Sequence, residues 1–193
     1  MNGEYLKIYD KIILGIDPGT NVMGYGVIGV KGNLPKMLAM NAVKLKSITD
    51  AYLKLENIYR TIQNLVDEFL PDEMAIEAPF YGKNVQSMLK LGRAQGVAMA
   101  AALSRQVPIK EYEPRKVKLA ITGRGSAEKE QVKEMIMRLL NIPAHLGDVA
   151  LDATDALAIA LCHFYESSKP VSSSHSKSWK EYIEKNPEKI KKR

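Results

Sequence analysis

The sequence has little of what several kinds of chemistry require. It holds one cysteine, Cys162, so an intrachain disulfide is excluded and a reducing compartment, the cytoplasm, is expected. Cys162 follows an apolar helical run and reads as a small buried hydrophobe rather than a nucleophile. No stretch approaches the ~18 continuous apolar residues of a membrane span. The opening MNGEYLKIYDK also lacks the apolar centre of an export signal, so neither insertion nor export is expected. There is no Ser-His-Asp or Cys-His arrangement for nucleophilic catalysis, His145 and His163 stand isolated, and no internal repeat is found. The net charge, +6, is moderate.

What is present is an ordinary soluble composition, 46% apolar and 26% charged, in 193 residues. That length suits one domain, residues 1–165, followed by a tail, residues 166–193, rich in Ser and Lys. The tail carries eight basic and four acidic residues, so four of the six net positive charges lie beyond Tyr165. Such a tail either attracts a polyanion or simply keeps the chain soluble.

The stretch Ile12 to Val30 reads as a strand, a turn at Pro18-Gly19-Thr20-Asn21, and a second strand. Leu34 to Val43 adds a third through Lys31-Gly32-Asn33, which makes three antiparallel strands in succession. Asp17 closes the first of them. By itself it could be a turn carboxylate that only hydrogen-bonds the chain after it.

Ser47 and Asp50 resemble a capping box before a helix with period 3.6, from Tyr52 to Phe69, stopped by Pro71. Met74 to Ala78 is a short strand holding a second carboxylate, Glu77, near its end. Phe80 to Lys83 is a loop, and Asn84 caps a helix reaching about Arg105. The apolar face of that helix reads as Val85, Met88, Leu89, Gly92, Gly96, Met99, Ala100 and Leu103. Glycine inside a helix costs about 1 kcal/mol against alanine. Gly92 and Gly96 therefore imply close approach by another backbone, either the sheet or a second subunit.

Val107 to Glu111 is a strand, Val117 to Ile121 a short helical piece, and Ser126 to Leu140 a helix behind Gly123-Arg124-Gly125. The start of that helix is either a phosphate seat or an ordinary interhelical turn. The last helix begins near Asp148. Asp152 and Asp155, three residues apart, share a face that soon becomes apolar at Leu157, Ile159 and Leu161.

If the two acid-bearing strands are neighbours and the last helix crosses their ends, Asp17, Glu77, Asp152 and Asp155 converge. Four carboxylates together repel one another unless divalent cations neutralise them. An all-oxygen donor set favours Mg²⁺ or Mn²⁺ over Zn²⁺. It suits phosphodiester hydrolysis by two metal ions.

Four segments, ILGIDPGTNVMGYGVI, AIEAPFYGKNVQSMLKLGRAQG, RKVKLAITGRGSAEKEQV and DATDALAIALCH, resemble in order and spacing the RuvC-type crossover junction endodeoxyribonucleases, the bacterial Holliday-junction resolvases. The resemblance covers roughly residues 11–165. It implies an α/β, ribonuclease-H-like fold with a five-stranded mixed sheet flanked by α-helices. It also implies a homodimer, two Mg²⁺ ions per subunit (Mn²⁺ a substitute), a branch-migration helicase complex as partner, and paired nicks in four-way junction DNA. By motif, Asp17, Glu77, Asp152 and Asp155 match the metal-binding catalytic acids. Phe80 matches an aromatic residue that stacks on a base, and Lys118 and Lys129 match basic residues near the scissile phosphate. Arg124, in the same loop motif, joins them as an expected DNA contact.

Two rival readings stand beside this one. An actin- or Hsp70-like ATPase shares the strand-Asp-Gly-strand opening but needs a second phosphate loop and more chain. A non-catalytic junction-binding protein has no use for four acids, which would repel the DNA backbone.

Overall fold

The computed structural model describes residues 3–79, 84–143 and 151–168. Five strands form one sheet: β1 (Lys11–Asp17), β2 (Val22–Lys31), β3 (Leu34–Lys44), β4 (Glu73–Glu77) and β5 (Ile109–Tyr112), in the order β3-β2-β1-β4-β5. β1, β2 and β3 are antiparallel, and β4 joins β1, and β5 joins β4, in parallel. Five helices flank it: α1 (Ala51–Phe69), α2 (Val85–Leu103), α3 (Pro114–Thr122), α4 (Lys129–Leu139) and α5 (Leu151–Ser167). Among the described residues no helix is long and apolar enough to cross a membrane.

The alternation of side chains along β1 divides the core. Leu14 and Ile16 pack with α1 and α2, whereas Ile13 packs with α3, α4 and α5. Gly15 and Asp17 belong by alternation to the α5 side. The same rule puts Ala75 and Glu77 of β4 on that side, with Met74 and Ile76 opposite.

α5 lies unusually close to the sheet. A Cβ on Gly15 would collide with the carbonyl oxygen of Ala156, and one on Gly24 with the carbonyl oxygen of Asp152. These strand glycines let the helix backbone rest on the strands themselves. Eleven residues of α5, among them His163, are buried. His163 is held by two 2.7 Å hydrogen bonds, Nδ1 to the Tyr112 hydroxyl and Nε2 to Glu73 Oε2. Burial lowers the histidine's pKa despite the nearby Glu73 carboxylate, so the ring is neutral. Glu73, also paired with Lys11, only accepts, which places the ring proton on Nε2 and leaves Nδ1 to accept from Tyr112.

Three local expectations change. Asp50 is not the fourth member of a capping box but the cap of α1, accepting from the amides of Tyr52 and Leu53. α4 starts at Lys129 with Glu128 as its cap, not at Ser126, because a turn that hydrogen-bonds Ala127 N–H to Arg124 C=O buries Ala127 first. On α2 much of the face read as core is turned outward, although Met99 packs against the core. Val85, Leu89 and Leu103 are exposed, and the buried residues are Ala94, Gln95, Ala98, Ala101 and Ala102. Small side chains win the inner face because they let α2 pack closely against α1 and the sheet. The start of α5 expected near Asp148 lies outside the described residues.

Candidate active site

The site forms where the parallel strands part. The β1–β4 ladder runs from Ile13 opposite Glu73 to Ile16 opposite Ile76. The next residue on each strand is an acid, Asp17 and Glu77, and both stand at the carboxyl ends of a parallel pair. That is where open α/β sheets leave a crevice, because their loops diverge there. On the other flank Asp17 faces Gly24 of β2. Over Gly24 passes the first turn of α5, which brings in Asp152 and, one turn on, Asp155.

Asp17, Asp152 and Asp155 each offer a carboxylate oxygen, and the three lie within 4.8 Å of one another. Glu77 stands outside this tight trio. It lines the same cavity of about 190 Å³ as Asp17, Asp155, Lys118 and Lys129. Lys129 Nζ donates to Asp155 Oδ2 at 2.6 Å.

The electrostatics follow from crowding. Burial, then the charges of Glu77, Asp155 and Asp152, push Asp17 up to about 8, with Lys129 opposing them. Burial and Asp155 raise Glu77 as well, against Lys129 and Lys118. Burial disfavours the charge on Lys129, but the hydrogen bond to Asp155 and the surrounding acids outweigh it and raise its pKa. A half-buried site in which one carboxyl holds its proton near neutrality is a site short of positive charge. Three convergent carboxylate oxygens, with no sulfur or imidazole among them, fit a hard divalent cation.

The other sequence-derived residues are distributed differently. Arg124 lines a separate cavity of about 280 Å³ with Thr122, Gln131, Glu134 and Arg138, on another face of α4. Glu128, an acid, caps α4, which argues against a phosphate seat at that helix start. Phe80 lies outside the described residues. At Gly92 and Gly96 no described atom comes within 4 Å of an added Cβ, so the sheet is not what approaches them. Sequence reasoning missed Gly15 and Gly24, which let α5 reach the strands. Their signal was visible as glycine at alternate positions of strands rich in apolar residues.

A five-stranded mixed sheet with carboxylates gathered at its parallel switch point defines a metal-dependent nuclease of the ribonuclease-H-like class. Residues 13–163 match the family model of crossover junction endodeoxyribonuclease RuvC. The chain is 55% identical over 184 residues to the Bacteroides fragilis crossover junction endodeoxyribonuclease RuvC, covering 95% of this chain and 98% of the relative. It is 54% identical over 185 residues to that of Porphyromonas gingivalis, covering 94% and 98%. Its fold matches T. thermophilus RuvC in complex with Holliday junction substrate with a TM-score of 0.74. That match has 33% identity and covers 81% of this chain and 94% of that one. The chain belongs to the RuvC family of crossover junction endodeoxyribonucleases. The ATPase and the non-catalytic reading are set aside with that result.

Proposed function

We propose that this protein resolves Holliday junctions as a homodimer, each subunit using two Mg²⁺ ions to cut one of two symmetry-related strands. The observation that carries the reading is the trio Asp17, Asp152 and Asp155, two of which, Asp17 and Asp155, line one cavity with Glu77, Lys118 and Lys129. Asp17 feels the charge of all three other acids, and with Asp152 and Asp155 it would hold the ions. When bound, the ions supply an activated water and charge stabilisation at the leaving 3′ oxygen. The chain's own part is to hold the acids at fixed separation and to orient the phosphodiester. Lys129, tied to Asp155 while no DNA is bound, can turn its ammonium to a non-bridging phosphate oxygen, and Lys118 supports it from α3. Water adds to phosphorus, the P–O3′ bond breaks, and 5′-phosphate and 3′-hydroxyl ends remain.

A four-way junction has two-fold symmetry, and productive resolution needs two cuts related by that axis. A C₂ dimer supplies two identical sites in that relation. The outward face of α2, with exposed Val85 and Leu89 and with open space at Gly92 and Gly96, supports a second copy as its occupant. Phe80, three residues beyond Glu77, is assigned to base stacking near the crossover, Arg124 to a flanking phosphate, and the branch-migration helicase to the same pathway. The cytoplasm is the expected compartment.

The test is a synthetic four-way junction incubated with and without Mg²⁺ beside a linear duplex of the same sequence. Paired nicks only in the junction, and only with the metal, are expected. Asp17→Asn should abolish cutting, at least a thousandfold on the order expected of a lost ligand group, while gel-shift affinity for the junction persists. Near wild-type cutting by that variant sinks the metal mechanism.

A further inference from the structure

Gln95 is a buried polar residue that the site described above does not use. It sits on α2 with 4% of its surface exposed, on the inner face of a helix that otherwise buries alanines. Its Nε2 donates to the backbone carbonyl of Glu77 at 2.9 Å and to Glu111 Oε2 of β5 at 3.2 Å. Both partners only accept, so the amide must present its nitrogen, whose two hydrogens serve one acceptor each.

The place of this contact matters. The β1–β4 ladder ends at Ile16 and Ile76, so β1 no longer braces β4 at the residue that carries the acid. β5 still pairs with it, Glu77 standing opposite Tyr112, and Ala78 N–H donates to Tyr112 C=O. The Glu77 carbonyl is taken by Gln95 from a helix on the opposite face of the sheet to the acids. Placing an amide in an apolar interior needs a compensating bond, and here that bond falls on the backbone of a site carboxylate.

We infer that Gln95 is a positioning residue for Glu77: it anchors to α2 the end of β4 that β1 no longer braces, and so fixes where the Glu77 carboxylate stands relative to the Asp17, Asp152 and Asp155 trio. The inference rests on the metal-dependent reading of the site. Gln95 touches neither the expected ions nor DNA. Its removal leaves the ligand set complete but loosely held, and losses of outer contacts of this kind typically cost about 10–100-fold in metal affinity or activity.

The variant Gln95→Met keeps the side chain's length and volume and removes both donors. Mn²⁺ binding to the free protein, followed by electron paramagnetic resonance, is expected to weaken about tenfold. In cleavage assays kcat should fall by a similar factor while KM for the junction stays within about twofold, because no DNA contact is lost. A purely structural role for Gln95 would lower the melting temperature and leave Mn²⁺ affinity, measured well below it, unchanged. That outcome overturns the inference. Should Gln95→Met fail to fold, Gln95→Asn carries the same expectation, since it keeps an amide but withdraws it by one methylene. Glu111→Ala, at an exposed strand position, removes only the second acceptor. Combined with Gln95→Met it should add no further loss if Glu111 acts through the glutamine. A wild-type protein that neither binds Mn²⁺ nor cuts junctions would overturn the proposed function instead.

Discussion

On the proposed function Asp17 must be ionised to hold a cation, and its surroundings oppose that. Its pKa is raised to about 8 by burial and by Glu77, Asp155 and Asp152. A carboxyl raised on folding favours the native state while protonated; that contribution is lost as pH climbs through the folded value. The metal-free protein should therefore lose stability between about pH 4 and 8. Over that range added Mn²⁺ must displace a proton. Apparent Mn²⁺ affinity should consequently rise close to tenfold per pH unit from 6 to 8 and flatten above, as calorimetric titration at each pH will read. A flat profile across those pH values contradicts the raised carboxyl. Gly24 makes the complementary residue-scale case. A methyl group there meets the Asp152 carbonyl, and backbone does not yield as a flexible side chain would. Gly24→Ala should push the start of α5 outward and reduce cleavage on the order of tenfold or more, with the sheet still formed by circular dichroism. Unchanged cleavage would mean that α5 shifts without moving its acids.

At the scale of elements, α5 and α2 are used in opposite ways. α5 is buried almost all round, and its first turns supply Asp152 and Asp155 to the acidic trio, Asp155 also lining the cavity. α2 fully buries only alanines and Gln95, packs Val97 and Met99 against the core, and leaves Val85, Leu89 and Leu103 outside. An amphipathic reading of α2 assigns Leu89 and Leu103 to the core by size. The observed orientation follows from closeness of packing instead, and it leaves a face with glycines and no described neighbour. If a second copy occupies that face, Gly96→Leu should shift the monomer–dimer equilibrium toward monomer in sedimentation velocity, at a concentration where the wild type is dimeric. An unchanged dimer assigns the face to another partner. The buried face of α1, in contrast, was legible. Ile58, Ile62, Leu65, Val66 and Phe69 are its buried residues, and the 3.6-residue period alone selects them. Its cap was displaced because Ser47 and Asp50 fit one motif as well as Asp50 fits another, and only backbone geometry separates the two.

Across the whole molecule the charge is divided between a nearly balanced body and a basic end, with four of the six net positive charges beyond Tyr165. α5 itself carries on to Ser167, two residues past the expected boundary of the domain. Residues 169–193 lie outside the described structure, and their contribution is measurable without it. Truncation after Ser168 should flatten the dependence of junction affinity on salt, roughly in proportion to the phosphate contacts removed, about 0.9 in log–log slope for each. An identical slope assigns those lysines to solubility.

The sequence alone was enough to mark the four acids, their all-oxygen chemistry, the antiparallel opening of the sheet and the period of α1. These are properties of residue type and local spacing, which neighbours along the chain dictate. Only the tertiary structure decided which carboxylates form the tight trio, that Glu77 stands beside it, that Val85, Leu89 and Leu103 of α2 face outward and that Gln95 holds the end of β4. Each of these depends on how closely one backbone can approach another. That distance is set by the absence of side chains at Gly15 and Gly24 and by the smallness of the alanines on α2, contacts between segments too far apart in sequence for any local pattern to record.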